Sequence, residues 1–307
     1  MKKHFGLSLM LTALVSILLL VSACGSTNTA TNTSSRTPLQ VLQNTQTAMK
    51  QLKSVHLDLK FNVAIQVSGT PTATDGTSAA PQNLSLNFTG SGDEVPPNQA
   101  SIHLSIAQSA SDQGLNLSEI LVGNKAYIQN SHGQWYVLDK SELPGSNNPF
   151  SGTDISNVYN LLDAAQKAKV TDHGTESLNG QNLRHLSFSF DQQSLSQLLS
   201  SNGQLGSILD QQNIAQVLNN VKLSQATLDV WIDESTSYVH RVELKMNLGL
   251  NLSSLDNAAT PTASGTVLPN ITTEVDSIID LSKFNAPVTI TAPANAIPTD
   301  DPSAIFS

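Results

Sequence analysis

The side chains that could carry out chemistry are few, and none of them forms a known catalytic or metal-binding motif. The histidines that follow residue 23 are His56, His103, His132, His173, His185 and His240. None has the His-Glu-x-x-His spacing of a zinc protease, and the chain has no phosphate-binding loop and no Gly-x-Ser-x-Gly elbow. We therefore predict no catalytic residue, no metal and no cofactor. Asp172-His173 is predicted to lie just before a turn and His185 on a strand opposite the apolar residues, so we interpret His173 and His185 as surface histidines.

Three acidic residues come nearest to the spacing of a cation site, namely Asp229, Asp233 and Glu234. Calcium needs several converging oxygen ligands, but these residues alternate out of a predicted strand or fall at a turn, where acids are common. Trp135 and Trp231 are predicted to pack at the margins of the sheet. An enzyme whose residues converge only in the folded chain stays open as one hypothesis.

Cys24 is the chain's one cysteine, and its position suggests a specific chemistry. It follows two lysines and an apolar stretch from about residue 5 to residue 21, which is the layout of a secretory signal. The sequence VSAC that ends at Cys24 resembles the lipobox of bacterial lipoproteins. The resemblance implies a signal peptide at 1–23, a diacylglyceryl thioether on the Cys24 sulfur and acylation of the new amino group. An ordinary signal peptide with an incidental cysteine is the alternative.

Residues 24–36 are small and polar without periodicity, which predicts a flexible tether behind the lipid. Each methylene buried in a bilayer contributes about 0.8 kcal/mol, so two or three acyl chains anchor a protein firmly. The expected location is the extracytoplasmic face of the cell membrane. Loss of the two leader lysines leaves 13 basic and 24 acidic residues, a net charge of −11. This charge argues against nucleic acid as a partner.

The residues that follow the tether form the body of the protein, which the anchor would hold at the membrane. Their hydrophobic pattern predicts an α+β fold. Thr37-Pro38 begins a helix on which Leu39, Leu42, Met49 and Leu52 are expected to share one face. The next segment, VHLDLKFNVAIQV, has apolar residues at every second position, so one face of this strand is dry. The prediction is a large curved antiparallel sheet, a half-barrel of about ten strands with helices covering the concave face.

Further segments follow the same alternation. EILVGNKAYIQNSHGQWYVLD reads as three short strands, DISNVYNLLDAAQKAKV as a helix, and the stretch around Asn179-Gly180 as a hairpin. Residues 192–220 are predicted to be helical, and residues 68–83 and 253–270 to be loops. The last strands are predicted at ATLDVWID, VHRVELKMNLGLNL, ITTEVDSIIDLS and APVTITAP.

The apolar face of such a sheet has a larger area than its predicted helices can cover. Ten strands make a face of roughly 1400 Å², and three helices cover about 750 Å² of it. Either the sheet fills the remainder by curling on itself, or an apolar ligand occupies it. The candidate cavity residues are Leu59, Phe61, Val63, Ile65, Leu186, Phe188, Leu228, Val230, Ile232, Val242, Leu244, Met246 and Leu248.

The order of these segments is similar to the LppX/LprA/LprF/LprG family of bacterial lipoproteins. The resemblance rests on the lipobox, TPLQVLQNTQTAMKQLKSVHLDLKF, GNKAYIQNSHGQWYVLD, HGTESLNGQNLRHLSFSF, LDVWIDESTSYVHRVELKM and DLSKFNAPVTITAPANA. It implies a domain at 37–300 with a half-barrel like that of the LolA/LolB carriers, enclosing a cavity for acylated lipid or glycolipid. The implied function is a non-enzymatic carrier or presenter of lipid in the cell envelope. A module of the same fold that binds an envelope protein or senses the envelope, as the LolA-like RseB does, is the alternative.

Overall fold

The structure of the protein is a computed structural model that describes residues 35–68, 83–108, 114–143, 150, 153–194, 221–251, 270–301 and 305. The helices are α1 (Pro38–Met49) and α2 (Ile155–Ala165), with a short 3-10 helix at Lys140–Glu142. The first six strands are β1 (Val55–Ser68), β2 (Asn83–Val95), β3 (Gln99–Gln108), β4 (Leu115–Val122), β5 (Lys125–Gln129) and β6 (Trp135–Asp139). The others are β7 (Lys169–Leu178), β8 (Gln181–Ser189), β9 (Val221–Asp233), β10 (Tyr238–Asn251), β11 (Asn270–Ser282) and β12 (Ile297–Pro298).

All twelve of these strands belong to one sheet, in the order β12-β6-β5-β4-β3-β2-β1-β11-β10-β9-β8-β7. Every pairing is antiparallel except that between β12 and β6. Strands that are consecutive in sequence pair with each other from β1 to β6 and from β7 to β11, and the long β1–β11 ladder, from His56–Ser282 to Ser68–Asn270, joins the two halves. The predicted curved α+β half-barrel is confirmed, with twelve strands where about ten were expected.

Helix α1 begins where its capping residues predict. The Thr37 hydroxyl accepts the backbone N–H of Gln40 at 3.3 Å, and the Gln40 side chain accepts the Thr37 N–H at 2.9 Å. This reciprocal capping box satisfies donors that the first turn leaves free. The expected helix face needs one correction: Leu42 and Met49 are fully buried, but Leu39 is 49% exposed because it lies in the first turn, beyond the edge of the packed face.

The hairpins turn at the predicted positions. Asn179 and Gly180 adopt left-handed backbone angles, with φ of 51° and 80°, between β7 and β8. Gly123 separates β4 from β5 in the same conformation. The segment from 119 to 139 lies in three short strands, as predicted, and the first of them begins earlier, at Leu115. The prediction of a strand at APVTITAP is wrong: residues 286–293 form no ladder, and the pairing with β6 falls at β12 instead.

The core face of the sheet carries two apolar clusters. The larger one lies beneath α1 and α2 and contains Leu42, Val158, Leu186, Leu228 and Val242 among its fully buried members. The smaller cluster covers β3 to β6, and Leu59 packs against both. Between them, Gly90 and Gly92 of β2 leave no space for a side chain. A Cβ at Gly90 would lie 2.6 Å from Leu104 and one at Gly92 would meet the backbone of β3, so β3 packs closely here.

Some of the predicted segments lie outside the described residues. These are the signal and tether up to residue 34, the loop at 69–82, most of the helix predicted at 192–220, and the loop at 252–269.

Candidate functional site

The two faces of the sheet have distinct chemistry. We call the face that packs against α1 and α2 the core face, and the opposite one the outer face. On β1 the odd-numbered residues from Val55 to Val67 lie on the core face, and the polar residues between them lie on the outer face. The two faces therefore offer different kinds of candidate site, apolar on the core face and polar on the outer face.

The structure divides the predicted cavity residues into two groups. Eight are at most 5% exposed and belong to the packed cluster beneath the helices: Leu186, Phe188, Leu228, Val230, Ile232, Val242, Leu244 and Met246. The other five are half-buried: Leu59, Phe61, Val63, Ile65 and Leu248. The burial of the first group is that of an ordinary hydrophobic core, so the second group is where a ligand has surface to contact.

The half-buried residues continue onto β2 and form one patch. Phe61 lies opposite Phe88 and Val63 opposite Leu86 in the β1–β2 ladder. The Phe61 and Phe88 rings meet edge to face, with centroids 5.7 Å apart. On the side of β1 away from β2, Ile65 pairs with Thr273 of β11, and Thr273 pairs in turn with Leu248 of β10. We call Phe61, Val63, Ile65, Leu86, Phe88 and Leu248 the distal apolar surface; all six are half-buried on the core face.

Among the described residues, two buried carboxyl groups lie on the core face, and the sequence pattern did not predict them. Glu94 pairs with Val55 and Ala100, and Glu119 pairs with Ile102 and Ile128, so buried apolar residues flank both. Each is 4% exposed. Burial raises the pKa of both groups from 4.5 to about 8, which leaves most of each population protonated at neutral pH.

Glu94 also fixes the start of helix α2. Both of its carboxyl oxygens lie within hydrogen-bond distance of the Ile155 N–H, at 3.0 and 3.2 Å. Further along, Tyr159 donates to the carbonyl of Met49 at 2.9 Å, and Gln46 donates to the carbonyl of Leu162 at 3.0 Å. These bonds tie α2 to α1 and hold both helices over the larger cluster.

The acidic residues weighed as a cation site do not converge. Asp233 accepts from Ser235 and Thr236 and organises the turn between β9 and β10. Glu234 forms an ion pair with Arg184 at 3.0 Å, and Arg184 also binds Asp172 at 2.6 Å. Arg184 is only 6% exposed, so these two carboxylates compensate the cost of burying its positive charge. Asp229 bonds instead to His185 and Ser187.

The outer face of β7 to β9 holds a cluster that the sequence pattern did not predict. The ring of His185 stacks between His173 and Trp231, with centroid distances of 4.4 and 4.2 Å. Trp231 is thus a packing residue, as expected. Asp172-His173 was expected just before a turn, but it lies within β7 at a bulge, because β7 continues to Leu178. Gly174, an isolated glycine within this strand, is the sequence signal that indicates the bulge.

Cys24, the predicted site of lipid attachment, lies outside the described residues. Within the part of the chain that the structure describes, no helix combines the length and apolarity needed to cross a bilayer.

The geometry defines the class: an α+β protein built on a curved, open half-barrel sheet, with an apolar core face that the two described helices overlie in part. Within that class, residues 37–298 match the family DUF6612, a family of unknown function, and the chain belongs to it. No curated protein sequence matches the chain.

The solved structures that are similar to the chain include two lipoproteins. LppX from Mycobacterium tuberculosis shares 16% identity over 82% of this chain and 97% of that one, with a TM-score of 0.40. LprF from Mycobacterium bovis shares 14% identity over 83% and 96% of the two chains, with a TM-score of 0.41. The similarity to this group that the sequence predicted is confirmed.

Proposed function

We propose that this protein is a membrane-anchored lipoprotein that binds an acyl lipid or glycolipid on its distal apolar surface and carries or presents it in the cell envelope. The observation that carries the proposal is the distal apolar surface itself. Six large apolar side chains on β1, β2 and β10 share one face and remain half-buried. Soluble domains rarely leave such a contiguous patch without a partner.

The chemistry of this surface suits an alkyl chain. Its leucine, valine, isoleucine and phenylalanine side chains have no hydrogen-bonding groups, so contact with a hydrocarbon leaves no polar atom unsatisfied. Moving a 16-carbon chain from a bilayer into water costs on the order of 13 kcal/mol. A protein surface that replaces the bilayer contacts removes much of this cost, which makes the transfer of lipid out of a membrane feasible.

The proposed anchor has a direct test. A Cys24→Ser variant expressed in bacteria should lose acylation and appear in the soluble fraction or as an uncleaved precursor, since serine provides no thiol for the thioether. Metabolic labelling with a palmitate analogue and membrane fractionation measure both outcomes. If the variant is cleaved and still sediments with membranes, the anchor assignment is wrong.

The proposed ligand surface is tested by placing a charge on it. Ile65→Asp and Leu248→Asp should each weaken binding of a fluorescent 16-carbon fatty acid by at least tenfold, because each puts a carboxylate against the hydrocarbon. The full-length protein is kept in a detergent whose molecules carry no 16-carbon chain. It is titrated with the fatty acid, and binding is followed by fluorescence. Gln66→Asp provides the control: it adds the same charge beside Ile65, but on the exposed outer face.

Two results would overturn the lipid proposal. One is unchanged fatty-acid affinity in both variants, and the other is a wild-type protein that binds no fatty acid and co-purifies with no acyl lipid in native mass spectrometry. A lipid-free protein that captures a stoichiometric envelope protein through the same surface would instead support the protein-binding alternative.

A further inference from the structure

A side-chain cluster on the outer face, separate from the distal apolar surface, contains the donor set of a metal site. One ligand atom from each of His173, Glu176 and His185 lies within 4.8 Å of the others. Two imidazoles and a carboxylate suit the divalent transition metals, whereas calcium and magnesium prefer oxygen ligands alone. The residues lie on the hairpin of β7 and β8.

A β-bulge brings these three residues to one face. In a regular strand, His173 and Glu176 are three residues apart and point to opposite faces. The β7–β8 register pairs Asp172 with Leu186 and Gly174 with His185, so His173 is an extra residue in β7. The bulge is held by the Asp172 carboxylate, which accepts the Gly174 N–H at 3.0 Å, and by the left-handed φ of 78° at Gly174. As a result, Glu176 and His173 both lie beside His185.

The hydrogen bonds around the two rings fix which nitrogens carry protons. Asp229 only accepts, so its 3.0 Å contact with His185 Nε2 places a proton on that nitrogen. Ser187 donates to Asp229, so its oxygen accepts from His173 Nε2 at 2.8 Å. In the neutral form of each ring, Nδ1 therefore carries the free lone pair. A histidine whose other nitrogen donates to a carboxylate is the arrangement that usually supports a metal ligand.

The contact between His185 and Glu176 needs a positive charge. His185 Nδ1 is buried, lies 3.0 Å from Glu176 Oε2 and makes no hydrogen bond of good geometry. A lone pair facing a carboxylate oxygen at this distance is repulsive unless a proton or a cation binds both. Two ligands on one zinc ion, each about 2.0–2.1 Å from the metal, are separated by about 3.3 Å. The Trp231 indole N–H also donates to Glu176 Oε2, at 3.3 Å, which orients the carboxylate.

We propose that His173, Glu176 and His185 bind one divalent transition-metal ion of the zinc type, with Asp229 as the carboxylate that orients His185. Because stacked imidazoles aim their lone pairs in parallel, binding requires the His173 ring to rotate away from the His185 ring. His173 is exposed, so this rotation meets no packed core.

The test is a zinc titration of the full-length protein, purified in detergent without a polyhistidine tag and treated with a chelator. Calorimetry should show one zinc ion per chain. His173→Ala and Glu176→Gln should each weaken zinc binding at least about tenfold. His103→Ala should bind like the wild type, because His103 is an exposed histidine on β3 whose Nδ1 contacts Ser118 at 3.1 Å.

A spectroscopic measurement distinguishes a metal site of defined coordination from nonspecific binding of metal at the surface. Cobalt(II) held in a low-coordinate imidazole and carboxylate site should give visible absorption bands that His173→Ala removes and His103→Ala retains. The proposal is overturned if the wild type binds no zinc, or if His173→Ala binds zinc as tightly as the wild type. Thermal unfolding without metal, unchanged in His173→Ala, shows that the variant is folded.

Discussion

Leu244→Asp is expected to abolish cooperative folding of the protein. Leu244 is 5% exposed on the core face of β10, opposite Leu228, which is fully buried. The substitution removes buried apolar contacts, which costs about 2–5 kcal/mol, and leaves a carboxyl group without a partner, which costs several kcal/mol more. The sum is comparable with the whole stability of a typical domain, about 5–15 kcal/mol.

Urea unfolding followed by tryptophan fluorescence measures this effect. Leu248→Asp, four residues further along the same face of β10, is the matched comparison: Leu248 is half-buried, so this variant should remain folded. The assignment of the two residues to core and ligand surface fails if Leu244→Asp unfolds at the same urea concentration as the wild type. It fails equally if Leu248→Asp is the less stable of the two.

The parts of the fold that could be predicted from sequence are those that local patterns specify. Alternation along β1 and β10 identified the core face, because burying one face of a strand requires apolar residues at every second position. Asn179-Gly180 identified a hairpin, because both residues accept positive φ at little cost. Thr37 and Pro38 identified the start of α1 for a similarly local reason.

The parts that could not be predicted depend on contacts between distant segments. On the core face of β2, Gly90, Gly92 and Glu94 replace the apolar residues of the pattern, and only the position of β3 explains the glycines. The burial of Glu94 depends in turn on α2, whose first N–H it accepts. The cluster at His173 depends on a one-residue bulge, which shifts the alternation without any signal in the hydrophobic pattern.

Glu119→Gln is expected to make the protein more stable at alkaline pH. The pKa of Glu119 is about 8 in the folded protein and near 4.5 when the chain is unfolded, because burial disfavours the carboxylate. Between these values the folded state binds a proton that the unfolded chain has lost, so the free energy of unfolding falls as the pH rises. For a change of this size the loss by pH 8.5 is on the order of 3–5 kcal/mol.

Glutamine has nearly the same shape and no charge, so the variant escapes this loss. Its free energy of unfolding in urea should exceed that of the wild type by a few kcal/mol at pH 8.5, and fall below it by no more than about 1–2 kcal/mol at pH 5. Glu274→Gln, at an exposed position on β11, should leave the pH profile unchanged. The lowered pKa of His240 acts in the opposite direction below pH 6.5, but both proteins carry His240, so its effect cancels.

The sign of the difference decides whether Glu119 is buried as an acid. If Glu119→Gln is less stable than the wild type at pH 8.5, the carboxylate has a partner that compensates its burial, and Lys140 is the nearby cation whose charge acts on it. If the wild type is instead less stable at pH 8.5, the protein retains a buried acid at a cost in stability.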